Sequence, residues 1–398
     1  MAATSGRNAL LRVRNVISSS RCFVQKSSHS QELDAVDEIK KRGYGCELHH
    51  VTTEDGYALT MHRVTSRGSD GESRKRTPVM VQHGLSCAST DWVVMDEGLV
   101  YRLVDKGCDV WLGNTRGNVY SRSHVHMSPK DPEFWNFSWH EMGQYDLPSM
   151  IDHILESTGH KRLTYVGHSQ GSTAFFVMAS IRPAFNAKVK AMFALGPVAS
   201  LGHLGSVVLK QLALRSDAIY KAANVAGISH VTVETSDFVS KIVNMFQARV
   251  FDDNMTYVLS SLWGYPCPVL RSKLFHLWLG HARNGLSLKT LAHYAQSACQ
   301  RYWFNLYDHG DRAKNLEQYG AETPPAYPLK NITVPVTLLY GQADWLAHPL
   351  DVRALYDSLT NAERKQLVQM PLCDYNHLDF CWSHECQDDI VKMILDSV

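Results

Sequence analysis

A serine in the segment Gly167-His168-Ser169-Gln170-Gly171 has the surroundings of a nucleophile. A strand-like apolar run, residues 163–166, precedes it, and a helical pattern over residues 172–181 follows, which predicts a sharp strand-to-helix turn at Ser169. Glycines two positions to either side remove side chains that would collide across such a turn. The serine hydroxyl is then lifted clear of the sheet, and the N–H of Gln170 points to the position of an oxyanion. A merely structural Gly/Ser turn is the alternative.

A serine alcohol is a poor nucleophile at neutral pH, so Ser169 needs a histidine as base and a carboxylate that orients the histidine. Asp344 follows a predicted apolar strand, residues 334–340, and His377 follows the last predicted strand, residues 367–372. Functional side chains gather at the carboxyl ends of strands in parallel sheets. The order serine, acid, histidine is that of the α/β-hydrolases, which favours a catalytic triad of these three residues.

Other polar residues near these positions have structural interpretations. Asp374 and Asp379 are too close in sequence to His377 to support its ring, and we expect them to be solvated or structural. Asp351 could cap a helix. His168 adjoins the serine but should point away from it and contribute packing.

An oxyanion hole needs a second donor from the loop after an earlier strand. The segment His83-Gly84-Leu85 follows the apolar strand predicted over residues 78–82. The backbone N–H groups of Leu85 and Gln170 are therefore the expected donors. Their side chains are almost irrelevant to this role.

The elements that must position these residues form an α/β pattern. Apolar strands over residues 78–82, 109–113, 163–166, 189–195 and 334–340 are separated by helical stretches such as 97–106 and 147–158. Strands that are apolar on both faces predict a mostly parallel sheet with helices on both sides. An antiparallel hairpin, residues 46–53 and 57–64, opens the fold after a short helix over residues 34–42.

The strand-helix rhythm is interrupted between residues 199 and 328. That stretch carries helical and irregular apolar segments, namely residues 207–220, 238–251, 257–262 and 288–300. The sequence therefore predicts a hydrolase core in two parts, residues 32–198 and 329–398, with a helical cap inserted over residues 199–328. The proline-rich residues 323–328 mark the far boundary of the cap.

Composition excludes several classes of function. Forty Lys plus Arg against 39 Asp plus Glu leave a net charge of +1, so no basic surface for nucleic acid is expected. No uninterrupted apolar run approaches the roughly 18 residues of a membrane span. The nine cysteines are scattered without a Cys-x-x-Cys pair, which argues against a zinc site. A serine triad needs neither metal nor cofactor, so none is expected.

The amino-terminal residues 1–31 are basic and contain no acidic residue. They lack the apolar run of a secretory signal and look more like a mitochondrial presequence, and a disordered segment is the other open interpretation. Three Asn-x-Ser/Thr sequons, at Asn136, Asn254 and Asn331, matter only in the secretory route. Asn136 lies among aromatic residues and is expected to be buried.

These motifs together resemble the acid lipases, the family of gastric and lysosomal acid lipase. The matching residues span nearly the whole predicted core and comprise Gly43-Tyr44, residues 52–57, His83-Gly84-Leu85, Asp91-Trp92, residues 109–118, residues 134–138, Tyr145-Asp146-Leu147-Pro148, residues 167–171, residues 341–347 and residues 375–380. The resemblance implies that Ser169, Asp344 and His377 form the triad and that Leu85 and Gln170 form the oxyanion hole. It also implies a cap and lid over an acyl-binding canyon. A secreted or lysosomal location is a further implication, which residues 1–31 do not support.

The expected function is hydrolysis of neutral lipid esters, triacylglycerol or steryl esters or both, through an acyl-enzyme. The cap would touch the lipid surface transiently and open the site. A carboxylesterase for small soluble esters is the alternative within enzymes. A catalytically inactive lipid-binding homologue is the alternative from another class.

Overall fold

A central mixed β-sheet runs through the protein. The computed structural model describes residues 34–66, 76–231, 262–264, 284–299 and 304–398. Its strands within these residues are β1 (Gly45–Thr52), β2 (Tyr57–Thr65), β3 (Pro78–Gln82), β4 (Asp109–Gly113), β5 (Ser123–His124), β6 (Leu163–His168), β7 (Val189–Leu195), β8 (His230–Val231), β9 (Leu286–Ser287), β10 (Val336–Tyr340) and β11 (Lys365–Gln369). The main sheet has the order β1-β2-β4-β3-β6-β7-β10-β11, with β5 paired to β2.

The sheet is antiparallel only at its first edge. Strand β2 runs antiparallel to β1, β4 and β5, whereas every pairing from β4 to β11 is parallel. The carboxyl ends of β3, β6, β7 and β10 therefore lie at one edge of the sheet. This is the edge at which open α/β sheets bind their ligands.

Helices connect the strands and cover the sheet. They are α1 (Ala35–Lys41), α2 (Leu99–Asp105), α3 (Leu147–Thr158), α4 (Gln170–Ile181), α5 (Val207–Ala213), α6 (Ser216–Val225), α7 (Leu288–Cys299), α8 (Arg312–Tyr319), α9 (Pro349–Ser358), α10 (Asp379–Trp382) and α11 (Gln387–Leu395). A helical turn, Trp139–Glu141, and a π-helical turn, Met142–Asp146, lead into α3.

Alternate residues of one strand pack into different cores. Met80 belongs to a core on the face covered by α3 and α4, whereas Val79 and Val81 belong to a core on the face covered by α2 and α11. All five residues of β3 and all six of β6 are buried. The predicted doubly covered, mostly parallel sheet is confirmed, because strands buried on both faces are apolar on both faces.

Several elements differ from the sequence pattern, among them strands β5, β8 and β9 and helix α10, which were not predicted. The helix predicted over residues 207–220 is two helices, α5 and α6, because the chain turns at Leu214 and Arg215. Helix α8 was not predicted, since its sequence lacks an apolar face and only Asn315 is buried. The strand predicted over residues 367–372 occurs two to three residues earlier, as β11.

The described part of the segment between β7 and β10 contributes no strand to the main sheet. Its described part contains α5 to α8 and the hairpin of β8 and β9. The helix predicted over residues 238–251 and most of that over 257–262 lie outside the described residues, as do residues 1–31 and Asn254. No helix among the described residues is long and apolar enough to cross a bilayer.

Candidate active site

Ser169 occupies the turn between β6 and α4. Its backbone has φ 51° and ψ −117°, a conformation that non-glycine residues rarely adopt and that occurs often at functional sites. A Cβ on Gly167 would lie 2.8 Å from the carbonyl carbon of Gly171, and a Cβ on Gly171 would lie 2.7 Å from the carbonyl oxygen of Gln82. The predicted collision across the turn is confirmed at Gly167, whereas at Gly171 a side chain would instead collide with the end of β3.

The loop after β3 passes directly over this serine. A Cβ on Gly84 would lie 3.1 Å from His168 Nδ1 and 3.2 Å from Ser169 Cβ, so a side chain at this position would pack tightly against the serine turn. Ser86, two residues later, has φ 57°, a second strained backbone position beside the serine. Leu85, whose N–H is the second expected oxyanion donor, is the residue between these two positions.

The two expected oxyanion donors are available. Among the described residues, none accepts a hydrogen bond from the backbone N–H of Leu85 or of Gln170. Gln170 is the first residue of α4, where a backbone N–H has no partner within the helix. Both groups can therefore donate to a substrate oxygen beside Ser169.

His377 and Asp344 form a buried pair. Nδ1 of His377 lies 2.8 Å from Oδ2 of Asp344, and the two residues are 3% and 1% exposed. The other carboxylate oxygen of Asp344 accepts hydrogen bonds from the backbone N–H groups of Leu346 and Ala347, each at 2.8 Å. The carboxylate is therefore held in one orientation, with Nδ1–H of the imidazole donating to it and Nε2 left for a substrate or nucleophile.

Close packing of two loops brings the acid and the base together. A Cβ on Gly341 would lie 2.0 Å from the carbonyl oxygen of Tyr375, and the backbone N–H of Ala343 donates to that same oxygen at 3.2 Å. The loop after β10 and the loop after β11 can therefore touch only because residue 341 has no side chain.

The pair lies at the same end of the sheet as the serine. The backbone N–H of Ser169 donates to the carbonyl oxygen of Leu195, and a Cβ on the next residue, Gly196, would lie 3.2 Å from His377 Nδ1 and 3.3 Å from Asp344 Oδ2. Within the described residues, no hydrogen bond joins Ser169 Oγ to His377. Such contacts often tighten only when substrate binds.

His168 supports the loop of the candidate base. Its Nε2–H donates to the carbonyl oxygen of His377 at 2.9 Å, and its ring lies 4.8 Å from that of His377. Burial lowers the pKa of His168 to about 3, so the ring is neutral. The expectation that His168 contributes packing is confirmed, with a hydrogen bond in addition.

Two of the three rival carboxylates have structural partners, and the third is exposed. Asp379 accepts a hydrogen bond from the backbone N–H of Asn376 at 2.7 Å, and burial raises its pKa to about 7. Asp374 is exposed, as expected for a solvated residue. Asp351, proposed above as a helix cap, instead binds the backbone N–H and Nδ1 of His203, both at 2.8 Å. His348 caps that helix.

A buried ion pair below the site was not predicted as a functional feature. The guanidinium of Arg116, on the loop after β4, binds Asp146 at 2.7 Å and Asp55 at 2.6 Å, and its backbone N–H donates to Asp146. Arg116 is 2% exposed and Asp146 is fully buried. The sequence did single out these three residues, because Asp55, Arg116 and Asp146 each lie in a motif that carries the family resemblance.

Residues of the segment between β7 and β10 line a cavity beside Gln170. A small cavity of about 10 Å³ is lined by Gln170, by Ser86 and Cys87 of the loop after β3, and by Leu286 and Ser287 of β9. Among the described residues, no group of three or more His, Cys, Asp or Glu side chains could hold a metal ion.

Comparison with known proteins agrees with this geometry. Two family models match, the partial α/β-hydrolase lipase region over residues 35–96 and the α/β hydrolase fold over residues 77–243. Lipase 1 of Drosophila melanogaster is 38% identical over 366 residues, covering 90% of this chain and 77% of that protein. Gastric triacylglycerol lipase of Rattus norvegicus is 34% identical over 356 residues, covering 89% and 88%.

A solved structure supports the fold. The thermophilic esterase from Thermogutta terrifontis superposes with a TM-score of 0.51 at 15% identity, over 88% of this chain and 99% of that one. At that identity the likeness concerns the fold alone. The sequence relatives carry the assignment further: the chain belongs to the acid lipase family of the α/β-hydrolase fold and is an ester hydrolase.

Proposed function

We propose that the chain is a lipase that hydrolyses neutral lipid esters, triacylglycerol or steryl esters or both, through an acyl-enzyme on Ser169. In this proposal His377 is the general base, Asp344 orients it, and the N–H groups of Leu85 and Gln170 bind the oxyanion. The observation that carries the proposal is the buried 2.8 Å contact of His377 Nδ1 with Asp344 Oδ2, at the sheet end that holds the strained Ser169.

Acylation begins when Oγ of Ser169 attacks the ester carbonyl carbon and His377 Nε2 takes the hydroxyl proton. The carbonyl oxygen becomes an oxyanion that accepts hydrogen bonds from Leu85 and Gln170. Collapse of the tetrahedral intermediate breaks the bond to the alcohol oxygen, which takes the proton from Nε2. The alcohol leaves, and the acyl group remains on Ser169.

Deacylation repeats these steps with water as the nucleophile. His377 Nε2 takes a proton from the water as its oxygen attacks the acyl carbon, and the same two N–H groups hold the second oxyanion. The bond to Ser169 Oγ then breaks and the proton returns to Oγ. The products are a fatty acid and a regenerated serine. In both halves Asp344 stays ionised and stabilises the imidazolium.

The insert, residues 199–328, is proposed to act as the cap between core parts 32–198 and 329–398. Its helices α5 and α6 and the turn between them expose large apolar side chains, among them Val207, Leu212, Leu214, Ile219 and Val225, the last 92% exposed. Exposed apolar side chains on consecutive helices are a feature of surfaces that bind lipid or protein. It supports transient contact with the surface of a lipid droplet or emulsion.

Substrate preference separates the candidate functions. Hydrolysis should be compared for emulsified triacylglycerol, emulsified cholesteryl ester and a soluble short-chain ester. Because an apolar cap favours aggregated lipid, the proposal expects faster hydrolysis of at least one emulsion. A preference for the soluble ester would make the chain a carboxylesterase and contradict the lipase proposal.

A serine-directed fluorophosphonate tests the mechanism. The proposal expects labelling on Ser169 that is lost in Ser169→Ala, together with loss of ester hydrolysis. A chain that is not labelled and does not hydrolyse esters would be a lipid-binding homologue. Hydrolysis by Ser169→Ala at the parent rate would contradict the assigned nucleophile.

A further inference from the structure

His83 immediately precedes the loop residues that carry the expected oxyanion donor. It is 3% exposed, and both of its ring nitrogens have partners. Nδ1 lies 2.8 Å from the carbonyl oxygen of Gly84, and Nε2 lies 3.2 Å from the backbone nitrogen of Thr115. None of these groups belongs to the proposed triad.

The partners of Nε2 determine where the ring proton lies. The backbone N–H of Thr115 can only donate, so Nε2 must accept. The side chain of Asn118 makes a second contact, its Nδ2 lying 3.2 Å from Nε2. Its Oδ1 accepts from the backbone N–H groups of Tyr120 and Ser121 at 3.0 and 3.1 Å, so the amide cannot be flipped and Nδ2 must face His83.

With Nε2 accepting two hydrogen bonds, the proton of the neutral ring lies on Nδ1. Nδ1–H therefore donates to the carbonyl oxygen of Gly84. Burial keeps the ring neutral, since it lowers the pKa of His83 to about 4. A charged ring would place a proton on Nε2, against the N–H of Thr115.

The carbonyl of Gly84 and the N–H of Leu85 belong to one peptide group. In a planar trans peptide the C=O and N–H bonds point in opposite directions. A hydrogen bond that fixes the carbonyl therefore also fixes the direction of the Leu85 N–H. We propose that His83 is a positioning residue that aims the Leu85 N–H at the oxyanion by holding the Gly84 carbonyl.

The inference rests on the proposed oxyanion role of Leu85. The local backbone supports it, because Gly84 packs tightly against Ser169 without a side chain to restrict its own backbone, and Ser86 has φ 57°. A loop with a flexible glycine and a strained neighbour needs an external contact to hold one peptide orientation. For the peptide group between Gly84 and Leu85, the hydrogen bond from His83 to the Gly84 carbonyl supplies that contact.

The test compares His83→Leu, His83→Asn and the control His62→Leu. An asparagine Nδ2 lies close to the place of histidine Nδ1 and can still donate to the Gly84 carbonyl. His62 is a matched buried histidine whose pKa burial also lowers to about 4, but it binds Ser89 rather than the oxyanion loop. The readouts are kcat, KM and the affinity of a trifluoromethyl ketone, whose serine adduct carries an oxyanion.

We expect His83→Leu to lower kcat about 100-fold, the effect of losing one oxyanion donor, with KM changed less than about threefold. Affinity for the trifluoromethyl ketone should fall by the same factor as kcat, and His83→Asn should recover part of both. His62→Leu should lose thermal stability but keep the ketone affinity of the parent. A folded His83→Leu with the parent's kcat and ketone affinity would overturn the inference.

Two further outcomes keep the test decisive. If His83→Leu does not fold, ¹⁵N NMR of the parent reports the His83 tautomer directly, and a proton on Nε2 would overturn the inference. If the parent itself is neither labelled by a fluorophosphonate nor active on esters, the proposed function is wrong. That result differs from an active parent whose kcat and ketone affinity do not depend on His83.

Discussion

Nδ1 of His377 lies 2.8 Å from Oδ2 of Asp344, although the two residues belong to loops that follow different strands. The other oxygen of Asp344 is held by two backbone N–H groups, so the carboxylate cannot rotate away. This arrangement specifies the imidazole tautomer with the proton on Nδ1. Nε2, the proposed base nitrogen, is then unprotonated and lies on the side of the ring away from Asp344.

Asp344→Asn should abolish most activity without unfolding the protein. Asparagine Oδ1 can keep both backbone hydrogen bonds, but its Nδ2 would donate to His377 Nδ1 and force the proton onto Nε2. By analogy with other serine triads, kcat should fall about 10⁴-fold while KM changes little. Steady-state kinetics on a soluble ester, with thermal unfolding as a check, measure this.

The control is Asp374→Asn, because Asp374 is exposed and three residues from His377 in sequence. It should keep the kcat of the parent within about twofold. If Asp374→Asn were the inactive variant and Asp344→Asn the active one, the acid would be misassigned.

Gly171→Ala should impair the serine turn. The added methyl would lie 2.7 Å from the carbonyl oxygen of Gln82 and 2.9 Å from that of His83, both backbone atoms that cannot move alone. We expect a loss of about 1–3 kcal/mol in the free energy of unfolding. Displacement of the end of β3 should also shift the serine turn and lower the specific activity of the folded protein. Specific activity is measured per active site, after active-site titration.

Gly159→Ala is the matched control. Gly159 has φ +72°, and no atom lies within 4 Å of a Cβ at this position. It should therefore lower stability through backbone strain alone and leave specific activity unchanged. Equal specific activities for Gly171→Ala and the parent would show that the turn tolerates the methyl group.

Sequence pattern pointed to the candidate site because each of its residues follows a predicted strand. Ser169 and Asp344 follow largely buried strands, whereas β11, which precedes His377, is only partly buried. Parallel strands bring their carboxyl ends together. The network around His83 could not be predicted in the same way. It depends on the contact between Asn118 Nδ2 and His83 Nε2, and the pattern of apolar and polar residues does not predict contacts between individual side-chain atoms.

The error at Asn136 has a different cause. Phe134, Trp135 and Phe137 are buried as expected, but the 3₁₀ turn Pro132–Trp135 ends at Asn136 and directs it outward. A polar residue among buried aromatic residues is exposed when the chain turns at that point. Sequence neighbours therefore predict the burial of a residue poorly outside regular elements.

Stability should fall as pH is lowered from about 6.5 to 4. Burial lowers the pKa of His62 and His83 to about 4 and that of His168 and His293 to about 3. In the unfolded chain these histidines bind protons near pH 6.5, whereas the folded chain binds them only at lower pH. Protonation therefore favours unfolding in this window. Urea unfolding at pH 4 to 8 measures the effect.

Asp379 opposes this trend. Its pKa is raised to about 7 by burial, above the ordinary value near 3.8, so the folded chain takes up its proton first as pH falls from 7. Asp379→Asn removes this gain in stability at lower pH. The Oδ1 of the introduced asparagine can still accept the hydrogen bond from the backbone N–H of Asn376. The variant should lose stability more steeply between pH 7 and 4, and it should be more stable at pH 8 by up to about 4 kcal/mol. Parallel curves for the variant and the parent would contradict the raised pKa.

Asn136 should carry an N-linked glycan if the chain enters the secretory route, whereas Asn331 should not. Asn136 is exposed, and its side chain makes no hydrogen bond with a described residue. Asn331 is half-buried, and its Nδ2 donates to the carbonyl oxygen of Ser180 at 2.8 Å. A sugar on that nitrogen would have to leave through the packed contact with α4.

The full chain, expressed behind a secretory leader in insect cells, provides the test through mass spectrometry of glycopeptides. Asn136→Gln should remove a glycan. Asn331→Gln should leave glycosylation at Asn136 unchanged and lose about 1 kcal/mol of stability through the missing hydrogen bond. A glycan on Asn331 with Asn136 unmodified would contradict the prediction. In material from the natural source, a glycan on Asn136 would place the chain in the secretory route and argue against a mitochondrial role for residues 1–31.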